Sequence, residues 1–180
     1  GLNLNNREDN VKNILRRLLR RLNPPKATSP PVYVLASSGH CPACDKPAKF
    51  SSEHEWLRDN FICSNCRSIP RERALMHVID TLRPDWKSLV MYESSPGKRG
   101  TSLRLARECF NYIPSHFFLD GVRGEVRNGV RHEDLRSLTF DDNSIDIHVS
   151  QDVLEHVFNS DLVFAEINRT LRPGGVHICT

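Results

Sequence analysis

The stretch from Asp141 to Gly175 constrains the fold more than any other part of this 180-residue chain. It opens with four turn-forming residues, and residues 145–150 are then rich in β-branched side chains and short enough for a strand. Apolar residues recur at roughly helical spacing from Leu162 to Leu171, and a Pro-Gly-Gly sequence is expected to stop that helix. Residues 176–180 follow as a second predicted strand. A strand, a helix and a strand joined this closely form a βαβ unit, which predicts a parallel sheet and an α/β fold.

A second strand–turn–helix pattern lies upstream. A buried strand is predicted over residues 89–93, followed by a glycine-containing turn and a helix. This layout is typical of a nucleoside-bearing ligand bound at the carboxyl edge of a sheet, where Gly97 and Gly100 permit close backbone approach. The phosphate-loop pattern GxxxxGK[ST] is absent from the turn. Two further short strands are expected, at residues 116–119 and 130–132.

Four of the six cysteines lie in two CxxC pairs separated by 18 residues. This spacing falls within the range for structural zinc, because each pair directs two thiolates at one point and two pairs complete a tetrahedron. The sequence shows no apolar signal-peptide core, so we expect a cytoplasmic, reducing compartment, which favours metal binding over disulfides. Unrelated buried cysteines or a redox pair are the alternatives. The predicted Zn²⁺ ligands, in a zinc ribbon, are Cys41, Cys44, Cys63 and Cys66.

The basic character of the chain is concentrated at its N-terminus. Residues 1–31 carry seven basic and two acidic groups, or +5, and the total of +3 leaves −2 for the remainder. Within this segment, residues 9–22 are predicted to form a basic amphipathic helix with one apolar stripe. Docking of that stripe on its own domain or on a twin is the leading interpretation. Peripheral membrane contact, an acidic glycan or RNA are the alternatives.

From Leu89 to Thr180 the sequence resembles class I S-adenosylmethionine-dependent methyltransferases, the type 11 group in particular. The run HEDLRSLTFDDNSIDIHVSQDVLEHVFNSDLVFAEINRTLRPGG is similar to that family's D-x-x-x-LPF-x-D-x-SFD, EH and E-x-x-RVL-x-PGG motifs, in the same order and spacing. The resemblance implies a Rossmann-like, mostly parallel sheet and S-adenosylmethionine as cofactor. The predicted domains are a basic helix with a proline-rich linker (1–31), a zinc ribbon (32–69) and a methyltransferase-like domain (70–180). A ribbon placed before such a domain is similar to the arrangement in zinc-ribbon large-subunit rRNA guanine methyltransferases.

The resemblance also implies roles for individual residues. Glu93 would lie near the methionine amino group, Asp120 would bind the ribose, and Asp134 would accept a hydrogen bond from the adenine amine. The residues placed at the cofactor are Glu93, Gly97, Gly100, Asp120, Asp134, Leu135, Gln151 and Asp152. His156 and Glu155 are the candidate catalytic bases, with a purely structural His156 as the alternative.

The sequence departs from the family in two places. The family's E-x-G-x-G-x-G is replaced by Glu93-Ser-Ser-Pro-Gly-Lys-Arg-Gly100, in which Ser95 stands at the first glycine and the last glycine is one position late. We therefore expect a loop of different shape. The sequence also stops at the fifth strand, so strand 176–180 is expected to be an open edge, covered by a missing C-terminal segment or by a homodimer partner.

The predicted function is methyl transfer from S-adenosylmethionine to a small-molecule or glycan acceptor. An RNA methyltransferase that docks through the ribbon and basic helix, and a truncated non-catalytic binding module, are the alternatives. The ribbon carries balanced charge, which favours the first function over RNA.

Overall fold

The computed structural model describes residues 32–180, and the basic helix predicted over residues 9–22 lies outside the described residues. Residues 33–180 form one compact unit that contains two sheets. Within this described part of the chain, no helix has both the length and the apolar character that a bilayer crossing requires.

The smaller sheet is the predicted ribbon. Its three antiparallel strands are β1 (Leu35–Cys41), β2 (Lys46–Ser52) and β3 (Ile62–Cys63), with the short helix α1 (Leu57–Asn60) between the last two. Each cysteine pair closes a tight turn in which one residue has a left-handed backbone, Asp45 at φ 55° and Arg67 at φ 63°. The N–H of Asp45 donates to the Cys41 carbonyl at 2.8 Å and that of Arg67 to the Cys63 carbonyl at 3.0 Å. These turns bring the thiols of each pair to the same side.

The larger sheet has the strand order β6-β7-β5-β4-β8-β9. All neighbouring strands are parallel except β6, which is antiparallel to β7, so the predicted α/β class and mostly parallel, Rossmann-like sheet are confirmed. The elements in chain order are α2 (Pro70–Leu82), β4 (Val90–Ser94), α3 (Gly100–Glu108), β5 (Asn111–His116), β6 (Val126–Arg127), β7 (Val130–His132), β8 (Ile145–Ser150), α4 (Ser160–Thr170) and β9 (Leu171–Cys179).

Helices cover the sheet on both faces, as parallel strands require. One core is formed by α2, α3 and the sheet and is centred on Leu75, Ile79, Met91, Leu105 and Ile147. The second core lies under α4 and contains Tyr92, Leu135, Ile145, Val163 and Ile167.

Two predicted element boundaries were wrong. The strand expected at residues 116–119 lies earlier in the chain, as β5, and ends at His116. The prediction missed its start because Pro114 disfavours a strand. β7 pairs with β5 only at Ser115 and His116, so on that side Pro114 has no ladder partner to lose. The last strand starts at Leu171 rather than at residue 176, and its pairing with β8 shifts register before Val176.

The order in which the chain fills the sheet reverses between β4 and β8. From β4 the chain first adds β5 and β7 on one side, and only later adds β8 and β9 on the other. Ligands in open α/β sheets bind at the carboxyl ends of the strands beside such a break. β9 is the outermost strand on its side of the described sheet, and what covers it stays a prediction.

Candidate active site and metal centre

A cavity of about 400 Å³ opens at the carboxyl ends of the parallel strands. Its wall combines polar groups at the strand ends with apolar side chains from the loops after β5 and β8. Four of the residues predicted from the sequence line it: Asp134, Leu135, Asp152 and His156. Its apolar side chains include Phe117, Val153, Val157 and Phe158. An apolar cavity with a few convergent polar groups is typical of a small-molecule site.

Glu93 lies at the end of β4, fully buried, and all its hydrogen-bond donors come from side chains. Oε1 accepts bonds from the Ser102 hydroxyl at 2.6 Å and the Gln151 amide at 3.1 Å, and Oε2 accepts one from the Tyr112 hydroxyl at 2.7 Å. Burial raises the pKa of Glu93, and these donors act in the opposite direction. The carboxylate therefore ties together the β4 end, the start of α3 and the loop after β8, from a position next to the cavity wall.

The loop between β4 and α3 contains residues with left-handed backbone at both of its ends. Ser95, at the family's first glycine position, has φ 53°, a left-handed conformation that a side chain disfavours. Gly97 donates its N–H to the Ser102 hydroxyl at 2.9 Å and lies at a separate small cavity beside Glu72. Gly100, at φ 56°, begins α3 against the segment that follows the ribbon.

Asp134 faces the cavity but its carboxylate is already paired. Arg136 donates to it from Nη2 at 2.7 Å and from Nε at 3.0 Å, and this bond lowers the pKa of Asp134. The carboxylate thus stays ionised, and both of its oxygens remain acceptors. The buried Leu135 follows it in the wall.

The remaining predicted site residues are divided between the cavity and its surroundings. Asp152 lines the cavity in a left-handed conformation, φ 49°, and His156 lines it from the loop after β8. Gln151 lies beside the wall, where its amide donates to Glu93, whereas Glu155 is exposed and does not line the cavity. The side chain of Asp120 is 87% exposed and lies 3.6 Å from Arg127, away from the cavity, because β5 ends four residues before it. The roles of all these residues stay predictions.

The four predicted zinc ligands come together. The Sγ atoms of Cys41, Cys44, Cys63 and Cys66 all lie within 4.8 Å of one another, and none of these cysteines is in a disulfide. A tetrahedral Zn²⁺ with bonds of about 2.3 Å requires sulfur atoms about 3.8 Å apart. The Cys41 and Cys66 sulfurs are separated by 3.9 Å.

The surroundings of the cluster raise the pKa of two of its thiols. Burial, and after it the neighbouring thiols Cys66 and Cys41, raises the pKa of the Cys44 thiol. Burial likewise raises the pKa of Cys66. Four thiolates this close repel one another, and a divalent cation at their centre removes that conflict.

Several residues around the cavity were not predicted from the sequence. Tyr112 and Ser102 complete the environment of Glu93, and a serine in the first turn after the glycine loop was the only available signal for them. Phe117 and Phe158 are also part of the wall, Phe117 directly after β5, whose end was misplaced, and Phe158 in the loop after β8, which carried no sequence signal. Arg71 pairs with Asp152, and nothing in the sequence indicates this contact.

Residues 99–179 match a family model described as a methyltransferase domain. This match covers less than half of the chain, and with the strand order and the cavity it supports the S-adenosylmethionine-dependent methyltransferase domain that the sequence predicted. The matched region begins at Arg99, near the end of the altered loop.

The similar solved structures are distant. An S-adenosylmethionine-dependent methyltransferase from Mesorhizobium loti is 21% identical, with a TM-score of 0.42, over 59% of this chain and 52% of that chain. Phosphoethanolamine N-methyltransferase 2 from Haemonchus contortus is 23% identical, with a TM-score of 0.43, over 59% of this chain and 27% of that chain. This chain spans about half or less of their length, and no curated protein sequence matches it.

Proposed function

We propose that the protein transfers a methyl group from S-adenosylmethionine to a small-molecule or glycan acceptor. The observation that carries this proposal is the position of Asp134 and Leu135 in the wall of a cavity at the strand-order break, within the matched methyltransferase domain. Asp134 would accept the adenine amine, and Asp152 would contact the opposite end of the cofactor.

When bound, S-adenosylmethionine supplies an activated methyl group, so the protein's contribution is chiefly alignment and the exclusion of water. Phe117, Val157 and Phe158 give the cavity an apolar rim that favours a partly apolar acceptor. His156 lies in the wall and would take the proton that a hydroxyl or ammonium acceptor must lose. Glu155 does not line the cavity and is the weaker of the two candidate bases.

Calorimetric titration with S-adenosylhomocysteine tests cofactor binding, and transfer of a labelled methyl group to pooled small molecules, glycans or RNA tests the acceptor class. Binding together with labelling of small molecules or glycans supports the proposal. Labelling of RNA alone would replace its acceptor, and the absence of binding would favour a non-catalytic module. If His156 is the base, His156→Ala lowers turnover at unchanged S-adenosylhomocysteine affinity, and equal turnover in both proteins would remove that role.

We also propose that the four cysteines hold a structural Zn²⁺. Metal analysis of the purified protein should give one zinc per chain, and Cys63→Ser should lose it. Cys179→Ser is the matched control, because Cys179 is exposed and lies outside the cluster. A zinc-free wild-type protein that remains folded, or equal zinc content in the two variants, would contradict the assignment.

A further inference from the structure

The segment Ser68–Glu72, which we call the coupling segment, connects the cysteine cluster with the cofactor cavity. It begins two residues after Cys66 and runs into the first turn of α2. Its side chains touch the thiols at one end, and the glycine loop and the cavity wall at the other.

The first connection is through Ser68 and Glu72. The Ser68 hydroxyl lies 3.2 Å from the Cys66 sulfur and 3.5 Å from the Cys41 sulfur. On its other side, a Cβ placed on Gly100 would lie 2.9 Å from the Cβ of Ser68 and 2.8 Å from Oε2 of Glu72. The first residue of α3 is therefore packed directly against Ser68, which contacts the thiols, and against Glu72.

Glu72 fixes the same region by hydrogen bonds. Its Oε2 accepts the N–H of Ile69 at 3.0 Å, its Oε1 pairs with Arg99 at 3.0 Å, and its carbonyl accepts the Thr101 hydroxyl at 2.6 Å. The end of the glycine loop and the start of α3 are thus held by the residue that caps α2.

The second connection is through Arg71. Its guanidinium pairs with Asp59 in the ribbon helix α1 through one nitrogen and with Asp152 in the cavity wall through another. Arg58, also in α1, lies 3.6 Å from Asp152. The Arg71 side chain is only 23% exposed, so it is less screened than a surface pair. Asp59 is in turn held by the Trp56 indole at 2.9 Å.

These contacts give Asp152 an orientation that its own strand does not supply. Asp152 has a left-handed backbone just beyond the end of β8, where its N–H donates to the Thr180 carbonyl at 3.0 Å; that bond holds its backbone, whereas the arginines hold its carboxylate. The two arginines that hold its carboxylate are positioned by the ribbon. A disordered ribbon would release both, and the Asp152 carboxylate would lose its fixed position in the wall.

We propose that Arg71 is a positioning residue that transmits the order of the zinc ribbon to the cofactor cavity, so that zinc and cofactor binding are thermodynamically coupled. This inference rests on the proposed cofactor and zinc sites. Coupling between two sites is reciprocal, so zinc must strengthen cofactor binding by the same factor by which cofactor strengthens zinc binding.

The first test measures S-adenosylhomocysteine affinity by calorimetry on zinc-loaded full chains. Arg71→Met should weaken binding by about five- to tenfold, within the usual range of coupling between sites. Arg71→Lys should recover part of the loss. Asp59→Asn does not touch the cavity and leaves Asp152 intact, yet it should weaken binding by about threefold because it loosens Arg71 from the ribbon.

Arg83→Met is the matched control. Arg83 caps the other end of the same helix, about 18 Å away along its axis, and pairs with Asp85. The Arg83→Met protein should bind S-adenosylhomocysteine with the same affinity as the wild type. Unchanged affinity in both Arg71→Met and Asp59→Asn would overturn the inference, as would an equal loss in Arg83→Met.

The second test is the reciprocal one. Zinc affinity, measured by competition with a chromogenic chelator, should rise about fivefold when S-adenosylhomocysteine is present in the wild type, and this gain should shrink in Asp59→Asn. A wild type that binds S-adenosylhomocysteine with no change in zinc affinity would overturn the coupling and leave the proposed function intact. A zinc-loaded wild type that fails to bind S-adenosylhomocysteine would overturn both.

Discussion

Replacing Tyr112 by phenylalanine tests the buried carboxylate at the end of β4. The Tyr112 hydroxyl donates to Oε2 of Glu93 at 2.7 Å, whereas the two other donors both serve Oε1. Glu93 is fully buried, so no solvent can replace the lost donor. A hydrogen bond to a charged group contributes about 1.5–3 kcal/mol, and we expect Tyr112→Phe to lower the free energy of unfolding by about 2 kcal/mol at pH 8.

The effect should depend on pH with a defined sign. Burial raises the pKa of Glu93 above its unfolded value, and the Tyr112 bond counteracts that rise. A carboxyl with a raised folded-state pKa contributes stability that is present below its unfolded pKa of about 4.3 and is lost as pH rises through the folded pKa. Because the variant has the higher Glu93 pKa, its deficit relative to wild type should be smaller at pH 5 than at pH 8.

Urea unfolding followed by tryptophan fluorescence at both pH values gives the comparison, with equal slopes as the check that the same transition is observed. Both proteins carry the same cysteine cluster, so its pH dependence cancels in the difference. Tyr33→Phe is the control, because Tyr33 is exposed. A deficit of the same size at pH 5 and pH 8, or a deficit no larger than that of Tyr33→Phe, would refute the reasoning.

Three further predictions follow from buried or strained positions. Burial, assisted by the nearby His177, lowers the pKa of His148 to about 3, so the folded state excludes a proton that the unfolded chain takes up below about 6.5. The free energy of unfolding should therefore fall as pH drops from about 6.5 towards 3, by about 2 kcal/mol at pH 5. In His148→Gln, urea unfolding at several pH values should give a free energy that falls less steeply with pH. Gly100→Ala should cost about 2–3 kcal/mol, since φ is 56° and the new Cβ would meet Glu72 at 2.8 Å, whereas Gly129→Ala, with φ 79° and nothing within 4 Å, should cost about 1 kcal/mol. Equal losses in the two glycine variants would contradict the packing argument. Asp134→Asn should weaken S-adenosylhomocysteine binding by about tenfold in calorimetry, and unchanged affinity would remove its adenine role.

Most of the fold could be predicted because its signals are local. The β-branched run before α4 and the apolar spacing within that helix predicted the βαβ unit, and the CxxC spacing predicted the ribbon. The errors fell where local signals conflict with the sheet. Pro114 disfavours a strand, yet β5 tolerates it beside β4 because β7 reaches only the last two residues. The start of β9 was missed because a Pro-Gly-Gly sequence reads as a break, whereas the strand passes through it with a change of register.

The site was predictable only where a motif carries the chemistry. Asp134, Leu135 and Asp152 follow strand ends in the family's order, and they line the cavity. The contacts that hold these residues have no sequence signal, because they join distant segments: Arg71 meets Asp152 from the ribbon side of the chain. A side chain that pairs across such a separation shows no periodicity and no spacing that would distinguish it from an ordinary surface arginine.

The altered glycine loop shows how one side chain can replace what the missing glycine would supply. Glycines in such a loop let the backbone adopt a positive φ and approach a ligand closely. Here Ser95 adopts the left-handed conformation despite its Cβ, at an expected cost of about 1–2 kcal/mol. Ser102 offsets that cost, because its hydroxyl accepts the N–H of Gly97 at 2.9 Å and donates to Glu93 at 2.6 Å. The loop is thereby fastened to the buried carboxylate at the end of β4, beside the strand-order break, by a side chain that lies outside the glycine motif.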